Sequence, residues 1–522
     1  MAKARKLTYF FVGGALLFLV LIFGAMTTKA IPMVNGEPDE GKIGTIYVKD
    51  QTGEETTLFK IDSQEELDQR LKEINKKNNI YGDTIVFDLK TDWKSEHFIT
   101  NNKQHIGINL NEHTWEITGN DSLELGNKGI IVISKVKELS IKNGTMKFTG
   151  TKKKAKYPLY LRNVSLSIEN VKFEDCNTKG KSIIYYDRWG LISICSFILK
   201  NVSFINCNRN GAEGAVIYFN ANKMEASSSA ISDSNCFMNC TFSNCQAGDG
   251  GAIFIDGSKN SLYFSGCKFE NCKASGYAGA IYFNGSDSKF TFNNCQFINC
   301  SAHKEGGAFI LDSKRISLTF KEGTEFNQCK SDNDAGAIWL NSNNGVILGG
   351  MQDGALGCKF INCSASGDGG AIKTTVKPGK GNHCEIKNVE FIGNKATSGD
   401  GGALCLSGDD CSVINCNFEK NNASKRGGAI YARYKNIIDK CNFKEDSANS
   451  SQEIEITAKS KVTNSDFKSK ADKGALCNID IWSSGNNKYT QIKNAEKSAP
   501  AANDNPATNE NQVTASESAA NK

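Results

Sequence analysis

Nineteen cysteines dominate the chemically capable side chains of this 522-residue chain, and all of them lie between residues 176 and 477. Thiols can ligate a metal, form disulfides or pack as small hydrophobes, and spacing bears on each option. Six stand two residues before a phenylalanine: Cys240, Cys267, Cys295, Cys358, Cys416 and Cys441. Seven stand three residues after one: Cys176, Cys207, Cys245, Cys272, Cys300, Cys329 and Cys363. Cys alternates with Val at the first slot and with Asn at the second, as expected of small buried residues that behave as modest hydrophobes. Disulfides between neighbouring repeats are the alternative in an exported chain, because stacking at about 4.8 Å falls inside the ~4.4–6.8 Å Cα window of a disulfide. An odd total then leaves at least one thiol unpaired within a monomer. Metal ligation is disfavoured: Cys240 and Cys245, like Cys267 and Cys272, are five apart, and no His recurs at a matching offset. No metal and no other cofactor is expected.

The acids and histidines give no catalytic residue. Glycosidase or lyase chemistry needs paired carboxylates at set separations, or a Ca²⁺-binding Asp cluster with a basic residue. Asp249, Asp368 and Asp400 each precede a Gly-Gly pair; because they recur with the repeat, turn capping is the expected role. Asp409-Asp410 reads as a solvated turn, and the five histidines (His97, His105, His113, His303, His383) are scattered. No Gly-His-Gly, Asn-Thr-Asp or lyase-type Arg motif occurs. A catalytic side chain should break the repeat pattern, and none does.

The elements that position these residues follow from a repeat. The phenylalanines Phe148, Phe173, Phe204, Phe242, Phe269, Phe297, Phe326, Phe360, Phe391, Phe418, Phe443 and Phe467 align with one another. A second mark is Gly-Gly-Ala-(Ile/Leu/Phe), with Gly251, Gly307, Gly370, Gly402 and Gly428 as the second glycine. Shorter forms occur at Gly214-Ala-Val216, Gly279-Ala-Ile281 and Gly336-Ala-Ile338. The Phe-to-Ala distance is 11 residues in six repeats, as from Phe204 to Ala215, whereas the distance from Ala to the next Phe runs from 14 to 27. One rigid corner and one variable path therefore share each turn. The expectation is an all-β parallel β-helix of about 12 rungs over 104–485, with equivalent residues stacked about 4.8 Å apart. Each turn is expected to hold three strands: one ending at Cys-x-Phe, one starting at Gly-Ala-Ile, and one like Ser261-Leu-Tyr-Phe-Ser265. The double Gly is expected to supply a left-handed turn and the Ala to fit a crowded inner corner. An α-helical repeat is excluded by abundant Gly, Asn, Ser and β-branched residues without a 3.6-residue apolar stripe.

Outside the repeat, Lys3, Arg5 and Lys6 precede an uncharged run from Leu7 to Thr28. Its length suits a membrane-spanning signal anchor, with a cleaved signal peptide over 1–30 as the alternative. Either way the body lies outside the cytoplasm, membrane-anchored at the cell surface or secreted. Residues 31–60 read as a stalk. Residues 61–103 read as a cap, with Ser63-Gln-Glu-Glu66 as a capping box, Leu67, Leu71 and Ile74 at helical spacing, and a strand over Thr84–Leu89. Residues 486–522 read as a disordered tail.

Repeated Gly-Gly-Ala-Ile together with Phe-x-x-Asn, as in Phe391-Ile-Gly-Asn394 and Phe418-Glu-Lys-Asn421, resembles the polymorphic outer-membrane protein family over roughly residues 140–475. The resemblance implies a right-handed, pectin-lyase-like β-helix exposed at a surface for adhesion or host contact. That family commonly carries a C-terminal autotransporter barrel of alternating strands; here residues 495–522 hold no aromatic residue and one Val.

Charge excludes nucleic acid as a partner. Four of the basic residues lie in the first thirty positions, and without them 58 basic residues face 57 acidic ones, far from a basic stripe. The expected function is non-catalytic adhesion or surface interaction, with a surface glycan or protein as ligand. A carbohydrate-active enzyme or a structural coat component are the alternatives on the same fold. Long Ala-to-Phe gaps place excursions at 222–235, 341–357 and 373–383, where a rigid scaffold concentrates recognition.

Overall fold

The computed structural model describes residues 43–492, except 51, 53, 77–83, 101–104, 119–128, 135–136, 150–156, 178–181, 189–194, 209–215, 223–234, 314, 322, 343–345, 349–356, 376–383, 409, 458 and 484. Short strands wind into a parallel β-solenoid. One turn runs through Ile281–Asn284, Lys289–Asn293, Gln296–Ile298 and Ser301–Ala302 before the next begins at Phe309–Ser313. Like strands pair in parallel from turn to turn, so that Phe269 lies opposite Phe297 and Ile281 opposite Phe309. They form a broad 29-stranded sheet, a 13-stranded sheet and a narrow 8-stranded sheet.

Each of these turns thus holds four strands where the sequence suggests three. The Cys-x-Phe segment does not end a strand: Cys295 sits at a bend and Phe297 is the middle of the strand that follows it. The two-residue strands of the narrow sheet, such as Ser301–Ala302, carry no sequence pattern long enough to read.

The bends have a common cause. The residue before each corner adopts a left-handed conformation, as at Asn239, Asn244, Asn271, Asn294, Asn299, Asn362 and Asn415, with φ between 49° and 54°. Asn tolerates this region better than other residues with a Cβ. It also pairs along the axis: Asn244 donates to Asn206, Asn271 to Asn244 and Asn299 to Asn271, at 3.1, 3.2 and 2.7 Å.

At the Gly-Gly-Ala corner the two glycines answer different demands. The first takes positive φ, as at Gly306 (68°), Gly369 (69°) and Gly427 (62°), although Ala278 and Ala335 adopt the same conformation in the shorter variants. The second is required by close approach. A Cβ on Gly307 would run into the carbonyl oxygen of Gly336, and Gly251, Gly370, Gly402 and Gly428 face the same obstacle in their own next turns.

The N-terminal end is closed by the expected helix, Gln64–Lys76, which buries Leu67, Leu71 and Ile74. Ser63 Oγ accepts the Glu66 N–H, and Glu66 reaches back to the Asp62 N–H. Residues 31–60 are expected to be a stalk, but Gly44–Lys49 within that span forms an antiparallel hairpin with Glu55–Ile61. Its Ile46, Val48, Leu58 and Ile61 are buried, and its first strand also pairs antiparallel with Thr84–Leu89. At the far end, Lys488–Gln491 adds a strand to Asp466–Ser469, so the solenoid continues into the start of the expected tail.

Candidate ligand-binding face

The residues that recur in the sequence point inward. The rings of Phe242, Phe269, Phe297, Phe326, Phe360, Phe391 and Phe418 form one column, with neighbouring centroids 4.6–5.2 Å apart and planes within 14°. The column continues through Phe204 and Phe173 at one end and Phe443 and Phe467 at the other. Phe148 lies two positions out of register, since Met146 opposes Phe173.

All nineteen cysteines are buried free thiols. The thiols of Cys245, Cys272, Cys300, Cys329 and Cys363 donate to the carbonyl oxygens of Phe204, Phe242, Phe269, Phe297 and Phe326 in the preceding turn, at 3.3–3.7 Å. Asn394 does the same in the next turn, its Nδ2 donating to Phe360 O at 3.0 Å, which explains why Cys and Asn exchange at this slot. Cys240, Cys267 and Cys295 stack in a parallel column beside the preceding corner. Burial pushes the Cys267, Cys295, Cys300 and Cys363 thiols well above the usual range. Burial also opposes ionisation of Cys207, Cys272 and Cys329, but hydrogen bonds from neighbouring thiols outweigh it and hold them low. All are enclosed, so the columns are packing groups rather than accessible nucleophiles.

The aspartates before the glycine corners cap across turns, not within their own. Asp249 Oδ1 accepts the Tyr277 N–H at 2.7 Å, Asp334 Oδ1 that of Asp368 at 2.8 Å, and Asp368 Oδ1 that of Asp400 at 3.0 Å. Lys373 Nζ bridges Asp334 Oδ2 and Asp368 Oδ2, at 2.7 and 2.8 Å. Burial opposes ionisation of Asp368, but Lys373 and the Asp400 N–H outweigh it and hold the carboxyl below its usual range. Burial likewise opposes the Lys373 charge, and the two carboxylates overcome it, keeping the ammonium firmly protonated. Asp368 is therefore unsuited to act as a general acid and Lys373 to act as a general base.

The outer surface of the 13-stranded sheet carries a second ladder that the sequence does not reveal. Tyr160, Tyr185, Tyr218, Phe254, Tyr282, Ile310, Trp339 and Lys373 are successive register partners. The tyrosines and Trp339 are half-buried. From Tyr160 to Tyr282 the rings stack at 4.8–5.4 Å with planes within 10°. Burial pushes the phenols of Tyr160, Tyr185 and Tyr282 up, which keeps them as donors.

Two residues further along runs a row that opens on Arg162, paired with Asp187 at 3.4 Å, and then alternates acid and amide: Asp187, Asn220, Asp256, Asn284, then Asp312 and Asn341. Tyr160 Oη donates to Asp187 at 3.4 Å and Tyr218 Oη to Asp256 at 3.3 Å. Because an amide separates each acid from the next, the carboxylates stand about 10 Å apart at ~4.8 Å per turn. That exceeds the ~5–5.5 Å of retaining glycosidases and lies at or beyond the ~6.5–9.5 Å of inverting ones.

Two of the expected excursions, 222–235 and 373–383, come after the strand Ile217–Ala221 and at the strand Ile372–Thr374; Asn235, Lys373 and Thr374 are themselves strand residues, which leaves 223–234 and 376–383. Both lie outside the described residues. The third, 341–357, is interrupted by the strand Val346–Leu348, which pairs within the broad sheet. The Leu7–Thr28 segment also lies outside them, and no helix among the described residues is long and apolar enough to cross a membrane.

Comparison with known proteins bears on the fold. A family profile described as "Right handed beta helix region" matches residues 104–297. The solenoid is therefore an all-β, right-handed parallel β-helix. Among solved structures, the tailspike protein of E. coli bacteriophage HK620, in complex with a pentasaccharide, is similar at 10% identity and a TM-score of 0.23, covering 87% of this chain and 83% of that one. No curated protein matches.

Proposed function

We propose that this protein is a non-catalytic recognition protein displayed outside the cytoplasm, engaging its ligand along the outer face of the 13-stranded sheet. The observation that carries this reading is the row of Asp and Asn beside the half-buried tyrosines. It supplies directional donors and acceptors on a rigid platform, while its carboxylates stand too far apart for paired acid–base work. The Gly-Gly-Ala-Ile and Phe-x-x-Asn repeats support kinship with the polymorphic outer-membrane proteins, and hence an adhesive role. The Leu7–Thr28 run supports a membrane anchor.

Incubating the full-length protein with a panel of neutral and acidic polysaccharides tests the reading. Retention on one of them, or on cells, without new reducing ends or unsaturated products is expected. Turnover that disappears in Asp256→Asn would overturn it. Labelling of intact cells with a membrane-impermeant amine reagent tests display; protection of the solenoid lysines would refute it.

A further inference from the structure

Resting on that recognition reading, we infer that the tyrosine strip binds an extended glycan that is uncharged or amino-bearing, and that it excludes acidic glycans. The strip is long and narrow. Six turn-to-turn steps separate Tyr160 from Trp339, about 29 Å at ~4.8 Å per step. Tyr157 lies beside Tyr160 and Tyr185, Tyr277 lies beside Tyr282, and Phe254 and Ile310 are buried, so a ligand reaches the tyrosines and Trp339. A linear polymer fits such a track.

The ring geometry selects what kind of polymer. Between Tyr160 and Tyr282 each ring face lies against its neighbour, with planes 3–10° apart. Only edges and hydroxyls are left for a ligand. A protein partner wants a broad, desolvated apolar centre, and among the described residues the exposed large hydrophobics are Tyr434 and Ile437, both beyond the strip toward the C-terminal end. A polyhydroxylated chain wants what the strip offers: phenol donors, narrow apolar edges, and a parallel row of carboxylate and amide groups. The phenol contacts already made, at 3.3–3.4 Å, are long for O–H···O bonds and can be exchanged for ligand hydroxyls.

Charge sets the class. Around the middle of the strip, Asp249 and Glu305 stand on the corner side and Asp256 and Asp312 on the other, with Lys304 seated over the Tyr277 ring. This excess of acid penalises an anionic ligand and accepts a neutral or cationic one, a selection by repulsion. Acid and amide alternate along the axis, so the chemical repeat of the strip is two turns. Since a pyranose in an extended chain advances about as far as one turn, each acid meets every second sugar.

The test is calorimetric titration of the full-length protein in detergent with cello-oligosaccharides, deacetylated chito-oligosaccharides and oligogalacturonates of increasing length. Affinity for the first two is expected to climb with length until the strip is filled, and oligogalacturonate is expected not to bind. The combined variant Tyr185→Phe, Tyr218→Phe, Tyr282→Phe keeps the rings and removes three donors. An unchanged melting curve checks its fold, and affinity should fall at least about tenfold. Asp256→Asn with Asp312→Asn should admit oligogalacturonate, raising its affinity relative to that of the neutral oligosaccharides.

Undiminished binding by the tyrosine variant, or equal binding of oligogalacturonate by the unaltered chain, overturns the proposal. Attachment to cells that is lost in Asp256→Asn with Asp312→Asn but indifferent to the tyrosine variant, without glycan binding, overturns it while leaving the recognition reading intact. Cleavage of an oligosaccharide overturns that reading instead.

Discussion

Glu453 offers the sharpest test of how this solenoid closes. It occupies the inward position that Ala252, Ala280, Ala308, Ala337, Ala371, Ala403 and Ala429 hold in earlier turns, with the Ala429 N–H donating to its carbonyl oxygen at 2.8 Å. Its side chain is fully buried beside Asp446, itself 2% exposed, which caps the Cys–Asn column by accepting from Asn421 at 2.7 and 2.8 Å. Neither carboxylate oxygen of Glu453, nor Asp446 Oδ2, has a hydrogen-bond partner. Burial, and then the neighbouring Asp446, push the Glu453 carboxyl up to about 11, and burial raises Asp446 to about 6.

Folding therefore takes up a proton at neutral pH. The favourable contribution is complete below the unfolded value near 4.5 and is lost progressively as pH rises toward the folded value. At pH 7 the loss has run for about 2.5 pH units, which at ~1.4 kcal/mol each amounts to about 3 kcal/mol. The figure depends only on the folded value lying above the pH of the assay. Asp446 adds to the slope below about 6, and the two titrate as a pair.

Glu453→Gln keeps the shape and removes the titration. Solenoids open locally from their ends, so the readout is amide hydrogen exchange over 454–456 and 461–463, corrected for intrinsic rates. The variant should be more protected than the original chain at pH 7.4, by up to about 4 kcal/mol, and equal to it near pH 4. The unaltered chain should lose protection between pH 5 and pH 8. A variant less protected at pH 7.4, or flat protection in the original, would refute the reasoning.

Three further outcomes follow from the interior ladders. Cys363→Asn should cost under about 1.5 kcal/mol by thermal or denaturant melting, because Asn394 and Asn421 already donate from this slot to the preceding turn; a Leu at the same site should cost more. Gly307→Ala should destabilise by more than about 3 kcal/mol, since the added Cβ meets the Gly336 carbonyl, whereas Gly306→Ala should be milder, as Ala278 and Ala335 already adopt that conformation. Thiol titration of the native protein should find almost no reactive cysteine, against nineteen after denaturation, because all nineteen are buried; rapid native labelling of several would contradict the ladder geometry.

Much of this architecture is legible in the residues themselves. Once turns lie directly on one another, every inward slot meets the same slot above and below, and burial forces the same residue type to recur. The Phe column, the two Cys columns and the second glycine of each corner are therefore visible as spacing alone. So is the capping helix, whose Ser63 and Glu66 satisfy its first N–H groups locally. The left-handed corners also leave a trace, the recurrent Asn-Cys dipeptide, although its meaning emerges only with φ values in hand.

What tertiary structure alone decided lies mainly outside the core. The partners Tyr160, Tyr185, Tyr218, Phe254, Tyr282 and Trp339 are 25, 33, 36, 28 and 57 residues apart, because loops of unequal length intervene. Outward positions are not held to one residue type by burial, so neither spacing nor identity marks the strip. The hairpin of residues 44–61 and the Asp446–Glu453 pair are hidden for related reasons: a single use has no repeat to betray it, and a buried acid looks in sequence like a solvated one. Residues recur where stacking repeats an environment, and recognition rests where it does not.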